Sequence, residues 1–161
     1  MHKLKKIFLT TTVLIFACEP DDICLSSVED TPRLILGFYE INTNKLKEVE
    51  NLKIQGVGND QVYVYKTIDS IGIPLKNKEN LTSFNLTKDF IEDQPESGNN
   101  DKIFINHDSN FIYLSRACGY INNYEINNVV IENDNENWII NSQISSSKIK
   151  DEKSIHIKIY H

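Results

Sequence analysis

Residues 154–160 read Ser-Ile-His-Ile-Lys-Ile-Tyr, and this stretch carries the pattern that decides the fold. Apolar and polar side chains alternate along it, which places Ile155, Ile157 and Ile159 on one side. A period of two residues is that of a β-strand with one buried face. Towards the N-terminus, short runs rich in Ile, Val, Tyr and Phe recur between clusters of Asn, Asp, Gly, Pro and Ser. The sequence therefore predicts a chain built from β-strands.

These runs give nine candidate strands, while a helical period is limited to one predicted turn at residues 87–93. The polar stretches at 107–110, 133–136 and 150–153 are predicted to be turns between strands. Strands of this length at intervals of about ten residues predict an all-β fold. We expect an antiparallel β-sandwich, immunoglobulin-like or related, with about eight or nine strands. The candidate strands are 33–41, 52–57, 62–66, 71–75, 102–106, 111–117, 120–132, 137–145 and 154–160.

The first 17 residues have the composition of a secretory signal peptide. Three lysines precede an apolar stretch of about ten residues, which is too short to span a bilayer as a helix. The ending Leu-Ile-Phe-Ala before Cys18 resembles a bacterial lipobox, although Phe16 is bulkier than is usual at its position. We therefore expect cleavage after residue 17, acyl chains (palmitate among them) on Cys18, a tether at 18–30 and a single sandwich domain at 31–161. An uncleaved anchor and an ordinary signal peptide are the alternatives.

The charge balance argues against a nucleic-acid partner. The chain has 17 basic and 23 acidic residues, and the leader holds three of the lysines, so residues 18–161 carry a net charge of -9. A surface this acidic repels phosphate backbones and anionic headgroups. The predicted membrane partner would therefore be held through lipid rather than through charge.

The three cysteines are Cys18, Cys24 and Cys118. If Cys18 carries lipid through its sulfur, Cys24–Cys118 is the one pair left to form a disulfide in an oxidising compartment. Two free thiols or a metal site are the alternatives, but the spacing does not match a zinc motif. The sequence predicts no metal and no cofactor.

Arginine occurs only at Arg33 and Arg116, in a chain with 15 lysines. Arg116 precedes Cys118 by two residues, so in a regular strand both side chains point to the same face. A buried arginine needs a carboxylate partner, and four acids (Asp21, Asp22, Glu29 and Asp30) lie near Cys24 in sequence. We predict that the two arginines form an ion-pair network securing the N-terminal segment. The alternative is a site for a carboxylate or phosphate ligand.

Catalytic motifs are not evident in the sequence. It contains no GxSxG, HExxH, CxxC or P-loop pattern, and the glycines around Val57 are not followed by a helix. His107, His156 and His161 fall in a predicted turn, on the polar side of the last strand and at the end of the chain, so they are expected to be exposed. No residue is assigned a catalytic role.

Two blocks carry a resemblance to a known family. Asp-Ile-Cys at 22–24, Thr-Pro-Arg-Leu at 31–34 and Phe-Tyr at 38–39 form the first, and Ser-Arg-Ala-Cys-Gly-Tyr at 115–120 forms the second. They resemble a family of Bacteroidota lipoproteins known as a domain of unknown function. The resemblance implies a location in the envelope, but it implies no activity.

These observations predict an outer-membrane lipoprotein, on the periplasmic face or the cell surface, with a non-enzymatic binding or structural role. Its expected partners are the membrane and an envelope protein or glycan. The alternative is a carboxylate-based hydrolase, which a pocket with two carboxylates roughly 5–10 Å apart would favour. Exposed tyrosines such as Tyr63, Tyr65 and Tyr113 on one face would favour binding instead.

Overall fold

The computed structural model describes residues 23–161, and the regular elements in this range are ten β-strands. The predicted all-β class is confirmed. In chain order the strands are β1 (Leu34–Tyr39), β2 (Val49–Gly56), β3 (Val62–Ile68), β4 (Ser70–Ile73), β5 (Leu81–Lys88), β6 (Asn99–Ser115), β7 (Gly119–Ile131), β8 (Asn141–Ile144), β9 (Lys148–Ile149) and β10 (Ile157–Tyr160).

The strands form two sheets, one in the order β4-β1-β10-β8 and the other in the order β3-β2-β5-β6-β7-β9. β1 and β10 run parallel, whereas the pairs β1–β4, β10–β8, β2–β3, β2–β5, β5–β6 and β7–β9 are antiparallel. Side chains from both sheets make one core, in which Leu36, Ile54, Ile103 and Ile159 are almost fully buried. The predicted antiparallel sandwich is confirmed, with one parallel pair inside it.

The alternation in the last strand is confirmed only on one side. Ile157 and Ile159 are fully buried, as the pattern predicts, but Tyr160 is buried as well. On this second face the Tyr160 ring lies against that of Tyr39 from the neighbouring strand β1, with the ring centroids 6.1 Å apart. The Tyr160 hydroxyl donates to Asn44 Oδ1 at 3.0 Å or to Gln143 Oε1 at 2.9 Å, which satisfies its polar end.

The predicted turn at residues 107–110 is wrong, because β6 runs unbroken through it. Asp108 is typical of turns, but here it accepts hydrogen bonds from Asn80 Nδ2 at 3.1 Å and from Asn127 Nδ2 at 2.9 Å. These two amides come from either side of β6 and replace the local bonds that would favour a turn. The predicted strands at 102–106 and 111–117 are therefore one strand.

β5 and β9 are absent from the predicted strands, and the predicted helical turn at 87–93 is wrong. Thr82, Phe84 and Leu86 of β5 alternate towards the core, so the period of two was present in a stretch rich in polar residues. β5 ends at Lys88, and Asp89 follows with a φ of 58°.

The chain divides into two compact units. The sandwich unit comprises residues 30–112 and 121–161, and the described part of the disulfide unit comprises residues 23–29 and 113–120. The predicted leader, Cys18 and the first part of the predicted tether lie outside the described residues. Among residues 23–161, there is no helix long and apolar enough to cross a membrane.

Candidate binding site

A cleft of about 320 Å³ opens in the sandwich unit between the edge strand β4 and the inward side of β3. It is near the lower limit of the volumes usual for small-molecule sites. The sheet that contains β3 has six strands, whereas the sheet that contains β4 has four. The lining residues are Arg33, Ile54, Gly56, Asn59, Gln61, Tyr63, Tyr65, Ile71, Gly72, Ile73, Pro74 and Phe84.

The pairing of β3 with β2 explains why two tyrosines line this cleft. Tyr63 lies opposite Ile54, and Tyr65 lies opposite Leu52. Directly paired residues of antiparallel strands project from the same face, and both β2 partners are buried in the core. The tyrosines therefore point to the inner side of the sheet. Tyr65 packs against the core, while Tyr63 remains 40% exposed.

Arg33 lines the same cleft and forms a bidentate ion pair with Glu152. Its Nε donates to Glu152 Oε1 at 2.9 Å, and its Nη2 donates to Oε2 at 2.6 Å. The backbone N–H of Arg33 donates to Oε1 as well, at 2.9 Å. Three bonds to one carboxylate fix both the strand start and the direction of the guanidinium.

This pair shifts the pKa values of both groups. The hydrogen bond and charge of Glu152 raise the pKa of Arg33, and burial opposes this with a smaller lowering effect. The hydrogen bond from Arg33 lowers the pKa of Glu152. Both groups are therefore charged at neutral pH, and together they contribute no net charge beside the cleft.

Gly72 of β4 has no side chain, and this leaves room for the guanidinium of Arg33. A Cβ atom at this position would lie 3.2 Å from Arg33 Nε and 3.3 Å from Arg33 Cζ. These distances are shorter than ordinary van der Waals contact, so any side chain here displaces Arg33. The absence of a side chain at Gly72 therefore shapes one wall of the cleft.

The remaining polar groups of the lining are amides. Asn59 Oδ1 accepts a bond from the backbone N–H of Gln61 at 2.9 Å, which fixes the loop between β2 and β3. The described residues that line the cleft include no Asp, Glu, His, Ser or Cys. The cleft thus offers aromatic faces, amides and one paired guanidinium, a set suited to holding a ligand by stacking and hydrogen bonds.

The structure places Arg116 differently from the prediction. Residues 116–118 form a turn, so the alternation argument that pointed Arg116 inward does not apply. Arg116 is exposed, and none of the carboxylates of residues 23–161 lies within ion-pair distance of it. Arg33 forms an ion pair with Glu152, which is not among the four acids predicted for the network.

The predicted disulfide joins Cys24 to Cys118. Their Cα atoms lie 4.8 Å apart, and 94 residues separate them in sequence. Gly119 follows with a φ of 71°, a left-handed conformation that favours glycine, and it completes the turn into β7. The bond holds residues 23–29 to the connection between β6 and β7.

The expectation of exposed histidines is wrong for all three. His107, His156 and His161 are at most 8% exposed, and burial lowers the pKa of each. His156 Nδ1 accepts the backbone N–H of Ile35 at 3.0 Å, and His107 Nε2 bonds Thr82 Oγ1 at 2.8 Å. These contacts tie neutral imidazoles into the sandwich, which assigns them a structural role.

Asp101 is the fully buried carboxylate of the sandwich unit, and its surroundings are also structural. Its Oδ2 accepts the backbone N–H of Ile139 at 2.7 Å, while burial raises its pKa. Within residues 23–161, His, Cys, Asp and Glu side chains form no group of three that could hold a metal ion.

Comparison with known proteins adds one result. A family model described as "Family of unknown function (DUF6452)" matches residues 51–161. The chain belongs to DUF6452. The DUF6452 match contains Tyr63, Tyr65 and Gly72 of the cleft, and it contains Glu152, the ion-pair partner of Arg33, whereas Arg33 itself precedes it. No curated protein matches the chain, and no solved structure does.

Proposed function

We propose that this DUF6452 protein is a lipoprotein of the bacterial outer membrane, anchored through Cys18, and that its sandwich is a non-enzymatic module that binds a neutral glycan. The observation that carries the binding role is the cleft, in which Tyr63 and Tyr65 lie beside a guanidinium that Glu152 neutralises. The anchor rests on the signal peptide and lipobox read from residues 1–18.

The disulfide supports an extracytoplasmic location. Disulfides persist in oxidising compartments and are rare in the cytosol of most organisms. Cys24 follows Cys18 by six residues, so the bond fastens the chain to its fold directly after the proposed lipid. The resemblance of the two cysteine-containing blocks points to a Bacteroidota lipoprotein on the periplasmic face or the cell surface.

The choice of a glycan follows from the chemistry of the lining. A sugar ring presents a C–H face that packs on an aromatic ring and hydroxyls that bond amides and guanidinium groups. Tyr63 and Tyr65 provide the rings, while Asn59, Gln61 and Arg33 provide the polar groups. Because the charge of Arg33 is matched by Glu152, a neutral ligand suits the cleft better than a carboxylate or phosphate.

The same lining argues against the hydrolase alternative. A carboxylate-based hydrolase needs two acids facing its substrate, and the described residues lining the cleft include none. Glu152, the neighbouring acid, has its pKa lowered by Arg33 and is poorly suited to donate a proton.

Two experiments test the proposal. Intact mass of protein extracted in detergent from its native membrane should show loss of residues 1–17, added acyl mass and a two-dalton gain on reduction. An unmodified Cys18 would refute the anchor.

An array of neutral and anionic oligosaccharides should then capture the wild-type chain on neutral members. Capture on the anionic members alone would assign the cleft to a charged ligand.

A further inference from the structure

The disulfide unit holds the three most exposed large apolar side chains of residues 23–161, which are Ile23, Tyr120 and Leu25. Ile23 is 73% exposed, Leu25 64%, Tyr113 57% and Tyr120 66%. Tyr113 and Tyr120 pack on each other with ring centroids 5.2 Å apart, so they form one aromatic surface. Single exposed apolar side chains are common on protein surfaces, but exposed apolar side chains that lie together mark an interaction surface.

The formal charges within residues 23–29 and 113–120 also cancel. The described residues of the disulfide unit include one acid, Glu29, and one base, Arg116, whereas residues 18–161 as a whole carry -9. Arg116 is exposed in the turn that follows the strand holding Tyr113. An arginine beside tyrosines and aliphatic side chains is the composition that protein surfaces show at the headgroup region of a bilayer.

The short segment between Cys18 and Cys24 limits the distance between this surface and a lipid on Cys18. Cys24 follows Cys18 by six positions, and an extended chain covers at most about 3.6 Å per residue, so the two lie within about 22 Å of each other. A lipid on Cys18 would fix that residue at the membrane surface. The disulfide then prevents residues 23–29 from separating from the connection between β6 and β7.

We propose that Ile23, Leu25, Tyr113 and Tyr120 form a lipid-contacting surface that rests on the headgroup region of the membrane in which Cys18 is anchored. This inference rests on the proposed lipid anchor. The acyl chains tether the protein, and this second contact holds the disulfide unit against the bilayer. The turn at 116–118 has backbone groups that need water or headgroups, so the contact is confined to the interface.

Fluorescence in vesicles tests the contact. Acylated Tyr120→Trp protein is reconstituted into phosphatidylcholine vesicles, with and without bromine on the acyl chains. We expect the introduced indole to shift to shorter wavelength and to lose emission in the brominated vesicles. Trp138 is the one native tryptophan and is 9% exposed, so wild-type protein provides the background. Val130→Trp is the matched control, because Val130 is an exposed residue of the same strand, ten positions along.

The outcomes separate the contact from the anchor. Quenching of Tyr120→Trp well above Val130→Trp supports the contact, and adding Ile23→Ser with Leu25→Ser should reduce it. Equal quenching of both variants in acylated, vesicle-bound protein overturns the contact but leaves the anchor intact. A shift of Tyr120→Trp emission to shorter wavelength that occurs in native membranes but not in protein-free vesicles overturns it in favour of a protein partner. If intact mass shows no lipid on Cys18, the anchor fails. Unacylated Tyr120→Trp then decides the contact, which falls if vesicles leave its emission unchanged.

Discussion

His161 packs edge to face against Phe38 and Trp138 inside the sandwich unit, whereas Tyr63 and Tyr65 line an open cleft in the same unit. We call the first set the core aromatics and the second the cleft tyrosines. Trp138 is 9% exposed and donates its indole N–H to the Leu86 carbonyl at 3.1 Å, while Tyr63 is 40% exposed. The core aromatics are buried and stabilise the fold. Of the cleft tyrosines, Tyr65 packs partly against the core, and Tyr63 keeps the exposed surface on which the proposed ligand would stack.

Trp138→Ala should produce the largest effect. It removes a buried indole and its hydrogen bond and leaves a cavity beside Phe38 and His161. Truncation of a buried aromatic residue costs about 3–5 kcal/mol of unfolding free energy. Urea denaturation followed by far-UV circular dichroism measures it. A loss below about 1 kcal/mol would remove the distinction between the two aromatic sets.

Asp101→Ala should be the next largest change. The backbone N–H of Ile139, next to Trp138, would lose its acceptor inside the core. An unpaired buried donor costs about 1–3 kcal/mol. Asp101→Asn is the matched control, since it keeps one carbonyl oxygen, and it should destabilise less. If both variants lose the same stability in urea, the charge of Asp101 rather than its acceptor role holds the segment.

Acidification should weaken the sandwich through its buried histidines. Burial lowers the folded-state pKa of His107 and His156 below the ordinary value of 6.5, so below that value the unfolded chain binds protons that the folded chain does not. Stability is therefore present above pH 6.5 and falls as the pH is lowered, by at most about 1.4 kcal/mol per pH unit for each histidine. Urea midpoints between pH 7.5 and 5.5 measure the slope. A flat profile would contradict the burial of neutral imidazoles.

Tyr63→Ala should have the smallest effect on folding. A partly exposed side chain at a sheet edge changes the unfolding free energy by about 0.5 kcal/mol or less. Val62→Ala alters the neighbouring residue on the outer side of the same strand and provides a matched control, since Val62 is 41% exposed. A loss from Tyr63→Ala that approaches that of Trp138→Ala would make Tyr63 a structural residue.

The sequence predicts the local features of this protein better than its site. Alternation identifies the buried Ile157 and Ile159, and the elimination of Cys18 leads to the observed Cys24–Cys118 bond. Arg33 and Glu152 are 119 residues apart, and no local pattern links them. Tyr63 alternates as a buried residue would, and its exposure depends on the unequal widths of the two sheets.

The most direct test of the cleft is the affinity of the wild-type chain for its best neutral oligosaccharide from the array, measured by titration calorimetry beside Tyr63→Ala and Val62→Ala. We expect Tyr63→Ala to weaken binding about tenfold or more, which corresponds to about 1.4 kcal/mol, with Val62→Ala close to wild type. All three proteins should unfold at similar urea concentrations. Equal affinities for both variants, or no neutral oligosaccharide bound at all, would contradict a glycan site at the cleft tyrosines.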